Sequence, residues 1–472
     1  MPKQAELVVI GAGPGGYAAA FRAADLGKKV TLIDKDATLG GVCLNRGCIP
    51  SKALLHIAKT MAGTRELEDK GVSYGDPKVD IGKLREWKQN TIEKLGSGIE
   101  QMALARKVEV ISGTAEFLSD KEIKVTKTKG KPQKLSFNNA IIATGSSSIV
   151  PAIFQQKDPT LMTSREALNL NEIPDSLLVV GGGYIGLELG TVYASLGSDV
   201  SVVEMLGSLL AGADKDLVAP LKKSLTKDFS DIYLNTEVLS IKKNKSGSWA
   251  VKMKSGTSTF QKSFSHILVA VGRRPNTKGI GLKNAGVELS NEGFIQTDAY
   301  CSTSVNNIFA IGDAAGQPML AHKATHEGKA AAEVICGEPS VFEPRAIPAV
   351  IFTNPEIAWA GLTEIEAKEK GISYKTGVFP WSASGKAIAV GKPEGKTKIL
   401  FDPDTNIILG GGIVGANAGD LISEIVLAIE MGADAIDLAL SIHPHPTFSE
   451  TAANAAEMYL GTITDLYVPK KK

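Results

Sequence analysis

The chain has 472 residues, 43% hydrophobic and 22% charged, a balance typical of globular proteins of about three domains. Its 52 Lys and Arg against 51 Asp and Glu give a formal net charge of +1, so electrostatic capture of nucleic acid or of an anionic membrane is not expected. No apolar run reaches the ~18 residues of a membrane span. With four cysteines and no signal-peptide pattern, we expect a reducing cytoplasm rather than a disulfide scaffold.

The first predicted elements are a strand, a glycine-rich turn and a helix. Residues Leu7–Ile10 form the apolar strand, Gly11–Gly16 has the pattern G-x-G-x-x-G, and Tyr17–Leu26 has helical alanine spacing. A second strand, Val30–Ile33, ends at Asp34. In dinucleotide-binding folds the first glycine makes the tight turn, the second admits a pyrophosphate, the third lets helix and strand pack, and the carboxylate accepts from a ribose.

Two of the four cysteines, Cys43 and Cys48, follow this unit closely. Residues five apart in a straight helix are separated by about 7.5 Å along the axis, too far for a relaxed disulfide. We therefore expect Cys43 on a loop or distorted turn, which Gly47 would allow, and a strained, reducible, catalytic bond. Two reduced buried thiols are the alternative. Lys52, one turn later, supplies a cation for a thiolate or a reduced flavin.

The same pattern begins again 170 residues after Gly11. A strand at Leu177–Val180, a turn at Gly181–Gly186 and a helix at Leu187–Leu196 lead to a strand that ends at Glu204. Each copy closes with a strand ending in glycine, at Ala140–Gly145 and at His266–Gly272. Two copies predict two different dinucleotides side by side. One site beside a vestigial turn is the alternative.

A third match, Gly410–Gly415, predicts no nucleotide site. Turn residues Asp402–Asn406 separate Lys398–Phe401 from Ile407–Leu409, which indicates a β-hairpin. Poor helix formers follow the glycines, and no strand-ending acid lies at the right distance. With a helix-like segment at Leu421–Met431, the C-terminal third predicts an antiparallel sheet with helices.

The histidines suggest one base and no metal. His445 lies five residues before Glu450, a spacing at which the carboxylate can orient the imidazole and stabilise its protonated form. A surface histidine near a turn is the alternative, and His443 is assigned a structural role. His322 and His326 lie four apart on a predicted helix without a third ligand, so we expect no metal there and packing beside a cofactor instead.

Together these motifs resemble those of the pyridine nucleotide–disulfide oxidoreductases across the whole chain. The stretch G-G-V-C-L-N-R-G-C-I-P-S-K at Gly40–Lys52 is highly specific for that family. Further matching segments are Gly11–Gly16, Gly181–Glu188, Asn307–Ala314, Leu320–Gly328 and His443–Glu450. Within the family, the match is nearest to the branch that oxidises dihydrolipoamide.

The resemblance implies an α/β fold with two Rossmann-like dinucleotide-binding domains plus a C-terminal α+β dimerisation domain. The FAD-binding domain would be discontinuous, with a first segment at 1–147 and a central segment at 275–344. The NAD-binding domain would span 148–274, and the dimerisation domain 345–472.

The resemblance also assigns the cofactors. Residues toward FAD would be Gly11, Gly13, Gly16, Asp34, Lys52, Ala115, Thr144, Gly145, Asp313 and Ala321. Residues toward NAD would be Gly181, Gly183, Gly186, Glu188, Glu204, Val238 and Gly272. Glu188 would lie near the nicotinamide and pair with Lys52. Glu204 favours NAD over NADP because a carboxylate repels a 2′-phosphate.

The implied reaction is oxidation of protein-bound dihydrolipoamide to lipoamide with reduction of NAD⁺. Cys43 would exchange with the substrate thiol, and Cys48 would pass electrons to FAD. His445, oriented by Glu450, would be the base for the cysteines of the other subunit of a homodimer. The implied partners are the lipoyl domain and the acyltransferase core of a 2-oxoacid dehydrogenase complex, or a glycine cleavage complex.

Three alternatives stay open. A disulfide reductase of the glutathione or mercury type shares the cysteine pair but needs a basic NADPH site, and the mercury type adds a C-terminal cysteine pair. An NADH oxidase or peroxidase usually works with one cysteine. The chain could also serve mainly as an assembly subunit that docks an acyltransferase core, a role compatible with catalysis.

Overall fold

The computed structural model describes residues 3–75, 77–467 and 469, in four consecutive groups of elements. The first group comprises β1 (Lys3–Ile10), α1 (Pro14–Asp25), β2 (Val30–Asp34), α2 (Gly41–Arg46), α3 (Cys48–Arg65), α4 (Ile81–Ala105), β3 (Glu109–Phe117), β4 (Glu122–Lys127), β5 (Gln133–Ile142) and β6 (Ser146–Ser148). The second group comprises β7 (Leu161–Met162), α5 (Ser164–Asn169), β8 (Ser176–Val180), α6 (Tyr184–Ser195), β9 (Asp199–Val203), α7 (Lys215–Asp228), β10 (Asp231–Tyr233), β11 (Thr236–Lys243), β12 (Trp249–Ser255), β13 (Ser258–Phe264), β14 (His266–Val269) and β15 (Arg273–Pro275).

The two remaining groups complete the chain. The third comprises α8 (Leu282–Ala285), β16 (Ile308–Ala310) and α9 (Ala321–Ile335). The fourth comprises β17 (Ala349–Ile351), β18 (Glu356–Gly361), α10 (Glu364–Lys370), β19 (Lys375–Pro380), α11 (Gly385–Ala389), β20 (Lys396–Phe401), β21 (Ile408–Gly415), α12 (Ala418–Met431), α13 (Ala435–Leu440) and α14 (Glu450–Leu460). Short 3₁₀ turns lie at Glu68–Lys70, Ala152–Phe154, Gly312–Ala314 and Trp381–Ala383.

Two parallel sheets repeat one another. In the first, the parallel order is β16-β5-β1-β2-β3, and β4 pairs antiparallel with β3 and β5. In the second, the parallel order is β7-β14-β8-β9-β10. The strands before the two glycine-rich turns, β1 and β8, hold equivalent central places, which confirms the predicted repeat. Parallel strands buried on both faces explain why Leu7–Ile10 and Leu177–Val180 are continuous apolar runs.

Two pairings join distant parts of the chain. Strand β16, from the predicted central segment, pairs in parallel with β5 of the first segment. Where the chain leaves and re-enters this region, β6 and β15 pair antiparallel. The domain boundaries given above stay predictions, but these pairings are what a discontinuous first domain requires.

The C-terminal part is an antiparallel sheet in the order β17-β18-β21-β20-β19, with α12 and α14 packed on it. The glycines Gly410–Gly415 lie inside β21, so the predicted hairpin is confirmed. Helix α12 begins at Ala418 rather than at Leu421, because Asn417 turns the chain at φ +59° and Ala418 is buried against the sheet. Here packing overrides a weak local helix signal. Among the described residues, no helix combines the length and the apolar character that crossing a membrane takes.

Candidate active site

The first and third glycines of each turn are required by the close approach of backbone to backbone. Gly11 and Gly181 have φ of +105° and +109°, and a Cβ on either would lie 2.2 or 2.4 Å from a carbonyl oxygen of the neighbouring strand's end. A Cβ on Gly16 would lie 1.8 Å from the Gly11 oxygen, and one on Gly186 would lie 2.4 Å from the Gly181 oxygen. Both units therefore have the packing that the sequence pattern predicts.

The middle glycines have a different reason. Gly13 and Gly183 precede α1 and α6 with ordinary φ of −69° and −80°, and no described side chain caps either helix. A Cβ on either residue would have no described atom within 4 Å. Each helix thus presents its first N–H groups, and the positive end of its dipole, to open space. These two cradles fit the pyrophosphates of two dinucleotides.

The two strand-ending carboxylates are also held alike. Asp34 accepts hydrogen bonds from the N–H groups of Ala12 and Asp36, and Glu204 accepts two from its own unit at 2.6 and 2.8 Å. Burial raises the pKa of Asp34, although these N–H groups oppose the shift. Each carboxylate is fixed beside its glycine turn and retains lone pairs for a ribose hydroxyl.

A cleft of about 450 Å³, within the range typical of ligand pockets, runs from the first turn to the cysteines. Its walls include the predicted residues Gly11, Gly13, Gly16, Asp34, Cys43, Cys48, Lys52, Thr144, Gly145, Glu188, Asp313 and Ala321. Ala115 lies apart, buried in the core of the first sheet. The remaining predicted NAD residues belong to the second unit and are not among the residues that line this cleft: Gly181, Gly183, Gly186, Glu204, Val238 and Gly272.

Several cleft residues were missed by sequence reasoning. Arg273 donates to the Ser146 hydroxyl at 2.7 Å and to its carbonyl at 2.9 Å, and the Ser146 hydroxyl donates to Asp313. This group joins three distant parts of the chain, so no local signal marks it. Arg46 and Tyr184 also line the cleft. Their places inside the cysteine segment and the second glycine turn were signals that could have singled them out.

The cysteines differ from expectation in local structure. Cys43 lies inside α2 and Cys48 begins α3, so the prediction of a loop or distorted turn at Cys43 is wrong. The distortion lies between them, at Gly47, with φ −148° and ψ −111°. Because the chain breaks there, the five-residue spacing along a straight helix no longer applies. Both residues are free thiols in this structure; Cys43 is partly buried, and Cys48 is open to the cleft on one side and surrounded by protein on the others.

The two thiols ionise differently. A hydrogen bond from the Cys43 thiol, followed by the nearby Lys52 ammonium, lowers the pKa of Cys48 to about 7 against the opposing effect of burial. The same hydrogen bond and burial raise the pKa of Cys43. Because its pKa is the lower of the two, Cys48 is the cysteine that loses its proton near neutral pH. It therefore carries the thiolate, the reactive form, in the reduced pair.

Lys52 pairs with Glu188, as the family resemblance implies. Its Nζ lies 2.9 and 3.1 Å from the two carboxylate oxygens of Glu188, whose side chain is 4% exposed. The pair connects α3 of the first unit to α6 of the second and faces the cleft next to Cys48. The ammonium thus gives the buried Glu188 carboxylate its charged partner and places a positive charge beside Cys48.

The C-terminal histidines are held by carboxylates. His445 Nδ1 lies 2.8 Å from Glu450 Oε1, and Glu450 also accepts from the Thr447 N–H at 2.7 Å. The His445 side chain is 77% exposed and does not line the cleft of its own chain. His443 is fixed between Glu424 and the Ser441 carbonyl, as its structural assignment requires.

Two smaller predictions are wrong. His322 and His326 are exposed on α9 and do not line the cleft, whereas Ala321 and Ala324 of the same helix do. The helix period places the two histidines on the solvent side. The other two cysteines have no partner nearby in the sequence, which predicts two ordinary buried thiols. Cys301 is buried, but Cys336 is only partly buried.

Comparison with known proteins gives a consistent result. Residues 5–328 match the model of the pyridine nucleotide-disulphide oxidoreductases, and residues 347–456 match that of their dimerisation domain. The dihydrolipoyl dehydrogenase of Vibrio cholerae is 48% identical over 470 residues, covering 99% of this chain and 98% of that protein. That of Geobacillus stearothermophilus is 44% identical, covering 97% of each.

Solved structures resemble this fold over almost the whole chain. LpdA from Mycobacterium tuberculosis superimposes with a TM-score of 0.88 at 27% identity, covering 96% of this chain and 99% of that one. The flavoprotein disulfide reductase RclA from Escherichia coli has a TM-score of 0.85 at 26% identity, with 97% and 100% covered.

Proposed function

Since the chain belongs to the pyridine nucleotide-disulphide oxidoreductase family, we propose that it works as a dihydrolipoyl dehydrogenase. It oxidises dihydrolipoamide to lipoamide and reduces NAD⁺ to NADH. The observation that carries this proposal is the Cys43–Cys48 pair at one end of a cleft whose other end is an open glycine cradle. The relatives bearing that activity's name match over nearly all of their length.

The residues of the cleft fit FAD. The uncapped start of α1 at Gly13 would hold the pyrophosphate, Asp34 would hold the adenosine ribose, and Asp313 would contact the middle of the molecule. When bound there, FAD supplies two-electron chemistry between a dithiol and a nicotinamide. Gly183 and Glu204 give the second unit the same features for NAD, and the Glu204 carboxylate disfavours a 2′-phosphate.

The thiol chemistry runs through Cys43. In the oxidised enzyme the two cysteines share a disulfide, and a substrate thiolate attacks the Cys43 sulfur. Cys48 leaves as a thiolate, which the neighbouring Lys52 stabilises. The second substrate thiol then closes the lipoamide ring and displaces Cys43, which takes up that thiol's proton and leaves as a thiol. One S–S bond forms as one breaks, and two electrons stay on the cysteines.

A base must first take the proton from the substrate thiol. Glu450 holds His445 through Nδ1, and no described residue bonds Nε2, which is therefore the nitrogen that accepts the proton. In a homodimer, the dyad of one subunit serves the cysteines of the other. Exposed apolar side chains on and beside α12 and α13 support such a contact: Leu427, Met431, Ile436, Leu440 and Ile442.

We further propose the partners and the location. The lipoyl domain and the acyltransferase core of a 2-oxoacid dehydrogenase complex, or a glycine cleavage complex, would deliver the substrate in the cytoplasm. The support is the resemblance of the sequence motifs and the low cysteine content. For a glutathione- or mercury-type reductase, by contrast, Glu204 stands where a basic NADPH site is needed.

The test uses the purified holoenzyme and lipoamide. We expect a yellow protein that reduces lipoamide with NADH and not with NADPH, and that leaves glutathione disulfide unreduced. Cys48→Ser removes lipoamide reduction, whereas Cys336→Ser, at a thiol outside the cleft, is the matched control and retains it. A colourless protein, or full lipoamide activity in Cys48→Ser, would refute the proposal.

A further inference from the structure

Behind the Lys52–Glu188 pair lies Phe352, a residue that no sequence motif singled out. It directly follows β17, an edge strand of the C-terminal sheet, and the residue is 36% exposed. Its backbone N–H donates to Glu188 Oε1 at 3.1 Å, and Lys52 Nζ lies 4.3 Å from the centroid of its ring. Three separate parts of the chain therefore meet at one ion pair.

We propose that Phe352 is a positioning residue, whose ring holds the Lys52 ammonium where it stabilises the Cys48 thiolate. Lys52 and Glu188 line the cleft, whereas Phe352 lines a separate cavity of about 240 Å³ behind them. Phe352 therefore acts on the cysteine through Lys52. The effect of Phe352 on Cys48 does not depend on the proposed function; only the consequence of that effect for turnover rests on it.

The ring gives Lys52 a constraint that the carboxylate alone lacks. The Lys52 side chain is 33% exposed and long, so one ion pair leaves it several rotamers. Attraction to the negative face of an aromatic ring fixes a second direction. Because the Phe352 N–H also holds Glu188, both members of the pair depend on the same residue.

The ring is itself supported by the C-terminal part. A Cβ on Gly419, in the first turn of α12, would lie 3.4 Å from the Phe352 ring, an ordinary van der Waals distance, so one edge of this partly exposed ring lies beside the helix. Farther along, α12 carries Leu427 and Met431, which we propose as part of the dimer contact. Phe352 thereby connects the dimerisation helix to the redox centre.

The test measures the ionisation of Cys48 rather than turnover. In holoenzyme carrying Cys43→Ser, the rate of iodoacetamide labelling of Cys48 is followed against pH, with peptide mass spectrometry to separate it from the other thiols. Phe352 is replaced by phenylalanines of increasing fluorination, which keep the ring's shape while weakening its attraction for cations. We expect the midpoint to rise and labelling at pH 7 to slow about threefold in the pentafluoro protein.

Three controls make the result decisive. Phe352→Tyr should keep the wild-type profile, and Phe352→Leu, which retains the backbone bond to Glu188, should match the pentafluoro protein. The effect should vanish when Lys52 is replaced by Met. Fluorination of Phe137, whose ring packs edge-on against Phe117 in the first sheet, should change nothing.

Equal midpoints along the Phe352 series, in proteins with unchanged FAD content and unfolding temperature, would overturn the inference. So would a shift that persists without Lys52 or that appears equally at Phe137. Lipoamide reduction is measured separately, in holoenzyme that retains Cys43. If that protein failed to reduce lipoamide while the Cys43→Ser series labelled as expected, the proposed function would be refuted and this inference would stand.

Discussion

The two open glycines, Gly13 and Gly183, permit a direct test of the two-site assignment. Either can become Ala without backbone strain, because φ is −69° and −80° and a Cβ meets no described atom within 4 Å. We therefore expect Gly183→Ala to leave the free energy of unfolding within about 0.5 kcal/mol of wild type or to raise it slightly. The added methyl instead occupies the space that a pyrophosphate needs.

The size of the effect follows from the bonds displaced. Each hydrogen bond from a helix N-terminus to a charged phosphate is worth about 1.5–3 kcal/mol, so losing one corresponds to about 10- to 150-fold in affinity. Gly183→Ala should weaken NADH binding by that factor, measured by titration, while the protein keeps its full FAD content. Gly13→Ala should do the reverse, losing FAD on gel filtration and keeping NADH affinity.

The controls separate site from fold. Gly98→Ala, on α4, also meets no described atom but lies away from both cradles, so FAD content and NADH affinity should be unchanged. Gly16→Ala, whose Cβ would lie 1.8 Å from a carbonyl oxygen, should instead fail to fold. If Gly183→Ala bound NADH as wild type does, or lost FAD instead, the assignment of the second cradle would be wrong.

Three further outcomes are expected. Lys398→Met should lower the free energy of unfolding by about 3–5 kcal/mol in denaturant titration, because this side chain, 1% exposed, is the one cation that pairs with the buried Asp214 among the described residues. Lys134→Met, which removes an exposed pair with Glu122 outside this cluster, should cost at most about 1 kcal/mol, and equal costs would contradict the argument. Glu450→Gln should slow lipoamide reduction by about 10²–10⁴-fold, while the rate of NADH oxidation by an artificial dye stays constant. If the two rates fell in parallel, the His445–Glu450 dyad would not be the base. In the reduced wild-type protein, the rate at which iodoacetamide labels Cys48 should rise with pH, with a midpoint set by the Cys48 pKa of about 7. Lys52→Met should move that midpoint to higher pH, because the thiolate loses a neighbouring cation. A shift to lower pH would exclude the role of Lys52.

Sequence reasoning recovered those features that the local backbone imposes. Gly11 and Gly16 can be read from the sequence because a Cβ at either would collide with the chain, and no other residue is compatible with the turn. The hairpin at Gly410–Gly415 was predictable for a related reason, since turn residues precede it and no strand-ending acid follows. The repeat of the two sheets then follows from the repeat of these constraints.

Three predictions were wrong at places where the chain departs from one regular helix or where tertiary packing decides the structure. The expectation for Cys43 came from the geometry of one straight helix, whereas two helices meet at Gly47. The start of α12 at Ala418 came from burial against the sheet, which a helix-propensity argument does not contain. The two histidines of α9 were expected beside the cofactor, but the helix turns them to solvent.

The order and spacing of glycines, acids and cysteines in the sequence determined which groups this protein uses, two dinucleotide-binding turns and a pair of cysteines. Each of these motifs depends on residues that are close together along the chain. Only the tertiary structure decided how that chemistry is tuned. Lys52, Glu188 and Phe352 lie far apart in sequence and come together where three parts of the fold meet. The electrostatic environment of Cys48 therefore depends on how those three parts pack, since charge–charge and cation–ring attractions vary with distance in space and not with separation along the chain.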